Sequence, residues 1–130
     1  PTNKSGRDGP TKGVVVSADR KQMEQLFINL VNNAVDAMPG GGHIHLRVRP
    51  AGEGWSVELQ DSGHGIPADV LPKVFKPMFT TKPEGKGTGL GLPICREIVR
   101  THGGEIRIES EVGQGTTVIF NLPGLARAAA

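Results

Sequence analysis

The 130-residue chain carries 15 Lys and Arg against 13 Asp and Glu, 36% hydrophobic residues, 19 glycines and a single cysteine, Cys95. This length suits one domain with one core, and a lone cysteine excludes an internal disulfide. No apolar run approaches the roughly 20 residues that span a bilayer, and no signal peptide opens the sequence, so a cytoplasmic domain is expected.

The positive charge lies mainly in the two ends of the chain. Residues 1–13 carry three basic residues and one acidic residue, and another arginine lies near the C-terminus, so the net charge between residues 14 and 123 is about −1. Four Phe, one Trp and no Tyr leave few rings on which bases could stack. A nucleic-acid partner is therefore not expected.

Composition also suggests how the chain is organised. Residues 1–13 are rich in Gly, Pro, Ser, Thr and Lys, which is typical of a flexible linker or of a sequence added for expression. Residues 14–123 are expected to form the domain, and residues 124–130 a short tail.

Hydrophobic alternation and turn residues predict the elements in chain order. Residues 14–16 are a short strand candidate, and a helix is predicted from the capping pair Asp19 and Gln22 to about Ala37. A second helix is predicted over residues 92–101. Two hairpins are predicted, with strands at residues 43–49, 55–60, 105–111 and 116–122. About five strands in a mixed, mostly antiparallel sheet, with two or three helices on one face, define an α+β two-layer sandwich.

The first predicted helix carries an unusual polar stripe. Its members fall within about 100° of one another around the axis, and they are Gln25, Asn29, Asn32, Asn33 and Asp36. An amphipathic surface helix shows the same division, but asparagine is a poor helix former that costs about 0.6 kcal/mol relative to alanine. Amide oxygens can coordinate Mg²⁺ and amide nitrogens can donate to phosphate. The asparagines therefore indicate a metal or phosphate site.

A glycine-rich bend follows the strand predicted at residues 55–60, with the sequence Asp61-Ser62-Gly63-His64-Gly65-Ile66-Pro67. A carboxylate there could accept a hydrogen bond from an exocyclic amine such as adenine N6, because glycine puts no Cβ in the path of a flat ring. The alternative is an Asp-Ser-Gly turn in which the aspartate caps its own backbone. Taken alone, this segment favours the turn.

A second glycine-rich segment, residues 85–93, runs into the second predicted helix as Gly-Lys-Gly-Thr-Gly-Leu-Gly-Leu-Pro. Alternate glycines free backbone N–H groups for an anion, and the helix N-terminus adds a favourable dipole. The spacing matches neither the Rossmann nor the Walker A pattern, and the chain has no His-Arg-Asp triplet of eukaryotic-type protein kinases.

The region just before this loop is basic. Between residues 72 and 88, four lysines and one glutamate give a local net charge of +3. Such lysines could neutralise a triphosphate, or they could be part of a solvated loop. Phe75 and Phe79 are expected to be packing anchors.

Together and in this order, these segments resemble the GHKL superfamily and, within it, the catalytic domain of sensor histidine kinases, with similarity to the nitrogen-regulation subgroup. Residues 113–117, Gly-Gln-Gly-Thr-Thr, also follow the family pattern. The resemblance covers residues 14–123 and implies the Bergerat form of the α/β sandwich. The segments correspond to the family's N, G1, F and G2 boxes, at residues 25–34, 61–65, 75–82 and 87–92.

The resemblance implies ATP and Mg²⁺ as cofactors. Asn33 would be the principal Mg²⁺ ligand, with Asn29 assisting at the phosphates, and these two with Lys82 are the catalytic candidates. Asp61 would accept from adenine N6, and Ile66 would line the adenine pocket. The remaining nucleotide-binding candidates belong to the bend and to a mobile lid with its glycine hinge: Gly63, Gly65, Thr81, Lys82, Lys86, Gly87, Thr88, Gly89, Leu90 and Gly91.

Two positions depart from the family pattern. Hydrolysing members carry a Glu four residues before the first asparagine of the N box, where this chain has Gln25, which cannot act as a general base. This favours transfer to a protein acceptor over hydrolysis. Many histidine kinases carry Lys or Arg three residues after the metal-binding Asn, where this chain has Asp36, so the lysines of the lid would neutralise more of the phosphate charge.

The family's phosphate-accepting histidine, on a helix, has no match among His43, His45, His64 and His102. The implied function is therefore donation of the γ-phosphoryl group of Mg-ATP to a histidine on a separate dimerisation domain of the same protein, with a response regulator downstream. The isolated domain would be a monomer, and the full-length protein a homodimer that a membrane anchor could accompany.

Three alternatives stay open. One is a GHKL serine kinase of the anti-sigma type, and another is a nucleotide-sensing module without transfer activity. In the third, the glycine loop only covers a protein interface.

Overall fold

A computed structural model describes residues 18–77 and 91–123 of the chain. The elements in these ranges are α1 (Arg20–Asp36), β1 (Ile44–Ala51), β2 (Gly54–Asp61), a 3-10 turn (Leu71–Lys73), α2 (Gly91–Thr101), β3 (Ile106–Glu111) and β4 (Gly115–Leu122). The predicted linker, the strand candidate at residues 14–16 and the predicted tail lie outside the described residues.

The four described strands form one antiparallel sheet in the order β1-β2-β4-β3. Both predicted hairpins are confirmed, since β1 pairs with β2 and β3 pairs with β4. The two hairpins are joined by the pairing of β2 with β4, in which Leu59 lies opposite Val118. The described strands number four where about five were expected, and the missing candidate falls outside the described ranges.

Helix α1 begins where the capping pair predicts. The Asp19 carboxylate accepts the Gln22 N–H at 2.9 Å, which satisfies one of the donors left open at a helix start. The helix buries Leu26, Leu30 and Ala34. Burying a leucine of this kind contributes about 1.5–3 kcal/mol, so this stripe holds the helix on the sheet.

Helix α2 packs against the same core through Cys95, Ile98 and Val99. Pro93 lies in its first turn, where a missing N–H leaves no intrahelical bond unmade. The helix ends as predicted, with Gly103 at φ +84° and the Gly104 N–H bonded to the Val99 carbonyl at 2.9 Å.

The sheet contributes one face to this core, through Val57, Leu59, Val118, Phe120 and Ile106. Both helices therefore cover the same side, which confirms the predicted α+β two-layer architecture. The edge strand β1 lies beyond the helices and is exposed along its whole length. Neither α1 nor α2, in the part of the chain that the structure describes, is long and apolar enough to cross a membrane.

His102 links the start of α1 to the end of α2. Its Nδ1 lies 2.8 Å from the Ile98 carbonyl oxygen, and its Nε2 lies 2.9 Å from the Asp19 backbone nitrogen. A carbonyl can only accept and a backbone N–H can only donate, so the ring must be neutral with its proton on Nδ1. One imidazole thus spans the open ends of both helices.

We expect His102→Leu to lower the free energy of unfolding by about 1–2 kcal/mol, because one hydrogen bond between the helix ends and one to the last turn of α2 are lost. Urea denaturation followed by circular dichroism measures this change. His45→Leu, on the exposed strand β1, is the matched control and should stay within about 0.5 kcal/mol of the parent. Equal unfolding midpoints for the two variants would contradict the role given to His102.

Candidate functional site

Asp61 lies at the end of β2, where the strand enters the glycine bend, and its side chain is buried. Its Oδ1 accepts the Gly63 N–H at 2.8 Å and the Thr116 N–H at 3.2 Å. The turn alternative therefore accounts for only one carboxylate oxygen, because Oδ1 accepts both bonds. With Oδ1 held by two amides, the direction of Oδ2 is set as well.

The glycine bend is clamped between α1 and the β3–β4 hairpin. The His64 N–H donates to the Ala37 carbonyl at 3.1 Å, and the His64 carbonyl accepts the Gly113 N–H at 2.9 Å. Gly65 has φ +80°, and a Cβ there would collide with the backbone of Glu111. A Cβ on Gly63 would collide with Ala37. Both predicted glycines are thus required by close backbone approach.

Ser110 anchors the far end of the bend. Its hydroxyl accepts the Ile66 N–H at 2.7 Å, donates to the Gly115 carbonyl at 3.0 Å and lies 2.7 Å from Thr116 Oγ1. The sequence analysis did not select Ser110. A signal was present, because β3 alternates Ile106, Ile108 and Ser110 on the core-facing side, where a polar residue is unusual.

The predicted asparagine stripe divides into two parts. Asn29 and Asn33 are half-buried, whereas Gln25, Asn32 and Asp36 are exposed. Two contacts locate the inner pair along α2: Cys95 Sγ lies 3.9 Å from the Leu26 carbonyl, and Asn33 Nδ2 lies 4.0 Å from the position of a Cβ on Gly91. Asn29 lies between these two contacts on α1, so the inner pair follows the seam between the helices.

The amide group of Asn29 is turned into this seam. Its Nδ2 is buried and has no hydrogen-bond partner of ordinary geometry within the described residues. The thiol of Cys95 is a neighbour with which this side chain interacts. With the nitrogen turned inward, Oδ1 is the atom of the amide that could coordinate a metal ion.

The donor set at the seam fits Mg²⁺. In residues 18–77 and 91–123, no three His, Cys, Asp or Glu side chains gather into a metal cage. Mg²⁺ in nucleotide sites takes few protein oxygens and keeps phosphate and water ligands. Neutral amide oxygens on Asn29 and Asn33 are suitable for such sharing.

The remaining predicted contacts can be placed only in part. Ile66 is half-buried after the bend, and Gly91 is the first residue of α2. Phe75 packs against the core with the Arg96 guanidinium 4.9 Å from its ring centroid, as expected of an anchor. The residues that lie outside the described ranges are Phe79, Thr81, Lys82, Lys86, Gly87, Thr88, Gly89 and Leu90.

Fold and site together have the form of a nucleotide-binding α/β sandwich: an anchored carboxylate in a glycine bend, amides on one helix and the N-terminus of another helix beside them. The sequence profile of the histidine kinase-, DNA gyrase B- and HSP90-like ATPases matches residues 18–125. The chain belongs to this family and, within it, to the catalytic domains of sensor histidine kinases.

Three known proteins illustrate the similarity. Sensor kinase CckA from Brucella abortus is 49% identical over 125 residues, which cover 85% of this chain and 13% of CckA. The catalytic domain of histidine kinase ThkA shares 41% identity and a TM-score of 0.72, over 83% of this chain and 70% of that one. Full-length ShkA, solved in complex with AMPPNP, shares 26% identity and a TM-score of 0.74, over 86% of this chain and 23% of ShkA.

Burial raises the pKa of the Cys95 thiol to about 11, although its interaction with Asn29 opposes part of the shift. Less thiolate is therefore present at any pH below that value than in an unfolded chain. We expect iodoacetamide at pH 8 to modify Cys95 slowly in the folded domain and quickly in guanidinium, as measured by mass spectrometry. Comparable rates in the two states would contradict the burial of this side chain.

Gly91→Ala separates folding from binding at the seam. Among the described residues, and apart from the backbone of α2 itself, the nearest atom to the new Cβ is Asn33 Nδ2 at 4.0 Å, which is ordinary contact. Since alanine favours helix, stability should be unchanged or higher by up to about 1 kcal/mol. We expect affinity for Mg-ADP, measured by calorimetry, to fall roughly tenfold or more because the methyl group intrudes between Asn33 and the helix N-terminus.

Gly40→Ala is the matched control, since no atom of residues 18–77 and 91–123, its two chain neighbours aside, lies within 4 Å of its Cβ position. Parental affinity in Gly91→Ala would place the phosphate site away from this seam.

Proposed function

We propose that this domain binds Mg-ATP between α1, the glycine bend after β2 and the N-terminus of α2, and presents the γ-phosphoryl group to a histidine on a separate dimerisation domain of the same protein. A response regulator would then receive the phosphoryl group. The observation that carries the proposal is the buried Asp61 carboxylate, which two backbone amides hold by one oxygen.

This carboxylate suits an adenine base. An ionised carboxylate only accepts hydrogen bonds, and adenine N6 supplies two N–H donors. Guanine would bring its O6 acceptor to the same place, where it would face the acceptor oxygen of Asp61 and form no hydrogen bond. Ile66 follows the bend and supplies an apolar contact for the flat ring.

The phosphates would lie at the seam between the helices. The first turn of α2 offers backbone N–H groups and the positive end of the helix dipole, and Asn33 lies beside it. Asn33 and Asn29 would hold Mg²⁺, which neutralises phosphate charge when bound. The lid lysines Lys82 and Lys86, with Thr81, Thr88 and the glycines of the hinge, stay predicted contacts of the phosphates.

The side chains near the seam favour transfer over hydrolysis. Gln25 has no basic atom, and it is exposed on α1. The neighbouring Glu24 forms an ion pair of 3.3 Å with Arg20, one turn nearer the start of α1 and away from Asn33. In the described part of α1, no carboxylate faces the seam in the position from which a water could be activated. Catalysis would then consist of positioning and charge neutralisation.

Asp61→Asn tests the base contact with little risk to the fold. The amide oxygen of asparagine can keep both backbone bonds, while the other atom changes from an acceptor to a donor that faces N6. We expect affinity for Mg-ADP to fall roughly 100-fold, because a charge-assisted bond is replaced by two opposed donors. Calorimetry measures the affinity, and thermal unfolding checks the fold.

Asp69→Asn is the matched control, since this residue is exposed and outside the bend. If Asp61→Asn bound Mg-ADP as tightly as this control does, adenine recognition by Asp61 would be wrong.

The acceptor is tested by supplying a histidine-bearing helical domain together with γ-labelled ATP. Histidine transfer gives an acid-labile, base-stable product, and a serine kinase gives an acid-stable one. Binding of ATP without any labelled product would favour a nucleotide-sensing module.

A further inference from the structure

A row of side chains crosses the sheet at the end nearest the glycine bend. Asp61 on β2 lies opposite Thr116 on β4, and Thr116 lies opposite Ser110 on β3. Directly opposed residues share one face of a sheet. Two residues further along, the same face carries Leu59 and Val118 of the core. The row is therefore the polar margin of the side that the helices cover.

The hydrogen bonds of this row fix the direction of each hydroxyl. The one proton of Ser110 goes to the Gly115 carbonyl, because a carbonyl can only accept. The Ile66 N–H donates to Ser110 Oγ, so that oxygen is also an acceptor. The one arrangement that satisfies all three contacts then has Thr116 as the donor of the remaining short contact, 2.7 Å between Ser110 Oγ and Thr116 Oγ1. Thr116 Oγ1 keeps only lone pairs.

Thr116 and Asp61 therefore present acceptors side by side. The Thr116 N–H donates to Asp61 Oδ1, and the Thr116 hydroxyl donates to Ser110 Oγ. Neither group can offer a proton to a ligand without breaking one of these bonds. A partner that brings donors, directly or through one water, is complementary to this pair.

We propose that Ser110 is a positioning residue that sets the base specificity of the nucleotide site. Ser110 accepts the hydrogen bond of the Thr116 hydroxyl and so leaves the Asp61–Thr116 pair with acceptors only, which selects a 6-amino purine over a 6-keto purine. The inference rests on the proposed nucleotide-binding function. Ser110 acts through Thr116 and the Ile66 backbone, without touching the base.

Replacing Ser110 changes whether the Thr116 hydroxyl can donate a hydrogen bond to a ligand. In Ser110→Ala, the Thr116 hydroxyl loses its acceptor and is free to turn and donate to a keto oxygen. Ser110→Thr keeps a hydroxyl with the same capacity, in a residue that strands accept well. Ser56→Ala, a half-buried serine of β2 outside the row, is the matched control.

The experiment measures dissociation constants of Mg-ADP and Mg-GDP for the parent and the three variants by calorimetry. We expect the parent to prefer Mg-ADP and Ser110→Ala to lower the ADP-to-GDP preference by about tenfold. Ser110→Thr and Ser56→Ala should keep the parental preference. If Ser110→Ala does not fold, Ser110→Cys, with its weaker donor and acceptor, makes the same comparison, with a smaller fall in preference expected.

A double variant separates specificity from support of the fold. If Ser110 acts through the Thr116 hydroxyl, then Ser110→Ala should not change the preference further when Thr116→Val has already removed that hydroxyl. A further change in the double variant, or an equal loss of both nucleotides in Ser110→Ala alone, would overturn the role of Ser110. A parent that binds neither nucleotide would instead overturn the proposed function.

Discussion

The arrangement of this domain depends on two hydrogen bonds to a single oxygen atom, Asp61 Oδ1. One comes from Gly63 inside the bend and the other from Thr116 at the start of β4, 55 positions along the chain. The carboxylate thus closes the bend and joins it to the central strand pair. Removing it would leave two backbone donors without partners, at a cost of about 1–3 kcal/mol for each that stays buried. The same bonds leave its second oxygen in a fixed direction, so one side chain would meet both the requirement of the fold and that of the proposed base recognition.

Much of the secondary structure could be predicted because it is determined locally. The Asp19 cap, the alternation in four strands and the glycines after α2 each act within a few residues, and the structure places the elements accordingly. The pairing of β2 with β4 could not be predicted in this way. It joins segments about 60 residues apart, and alternation identifies the face of a strand without identifying its neighbour.

The candidate site shows the same division. Local chemistry drew attention to the segment of Asp61, Gly63 and Gly65 but alone favoured a turn, and its assignment to a base site came from the family resemblance. The stripe on α1 was predicted as a unit, yet only Asn29 and Asn33 turn toward α2. The angular position of a residue on one helix does not say where the next helix packs. Ser110 belongs to a distant strand, and its role depends on three partners from the bend and from β4.

Polar atoms at the sheet margin have hydrogen-bond partners within the protein, whereas Asn29 at the seam between the helices has a nitrogen that is unpartnered within the described residues. At the margin, both hydroxyls and the Thr116 N–H have partners, so the network assigned to Ser110 and Thr116 orients the hydroxyls before any ligand arrives. A site prepared in this way loses little orientational freedom on binding, and it discriminates between ligands that bring a hydrogen-bond donor and those that bring an acceptor. At the seam, Asn29 Nδ2 has no partner of ordinary geometry among the described residues, and its sulfur neighbour is a weak acceptor. Turning this amide toward a phosphate or metal would therefore break no hydrogen bond of ordinary geometry among these residues. A rigid base site beside an adaptable phosphate site would suit the proposed phosphotransfer, since the base stays unchanged through that reaction while the charge of the phosphates is redistributed.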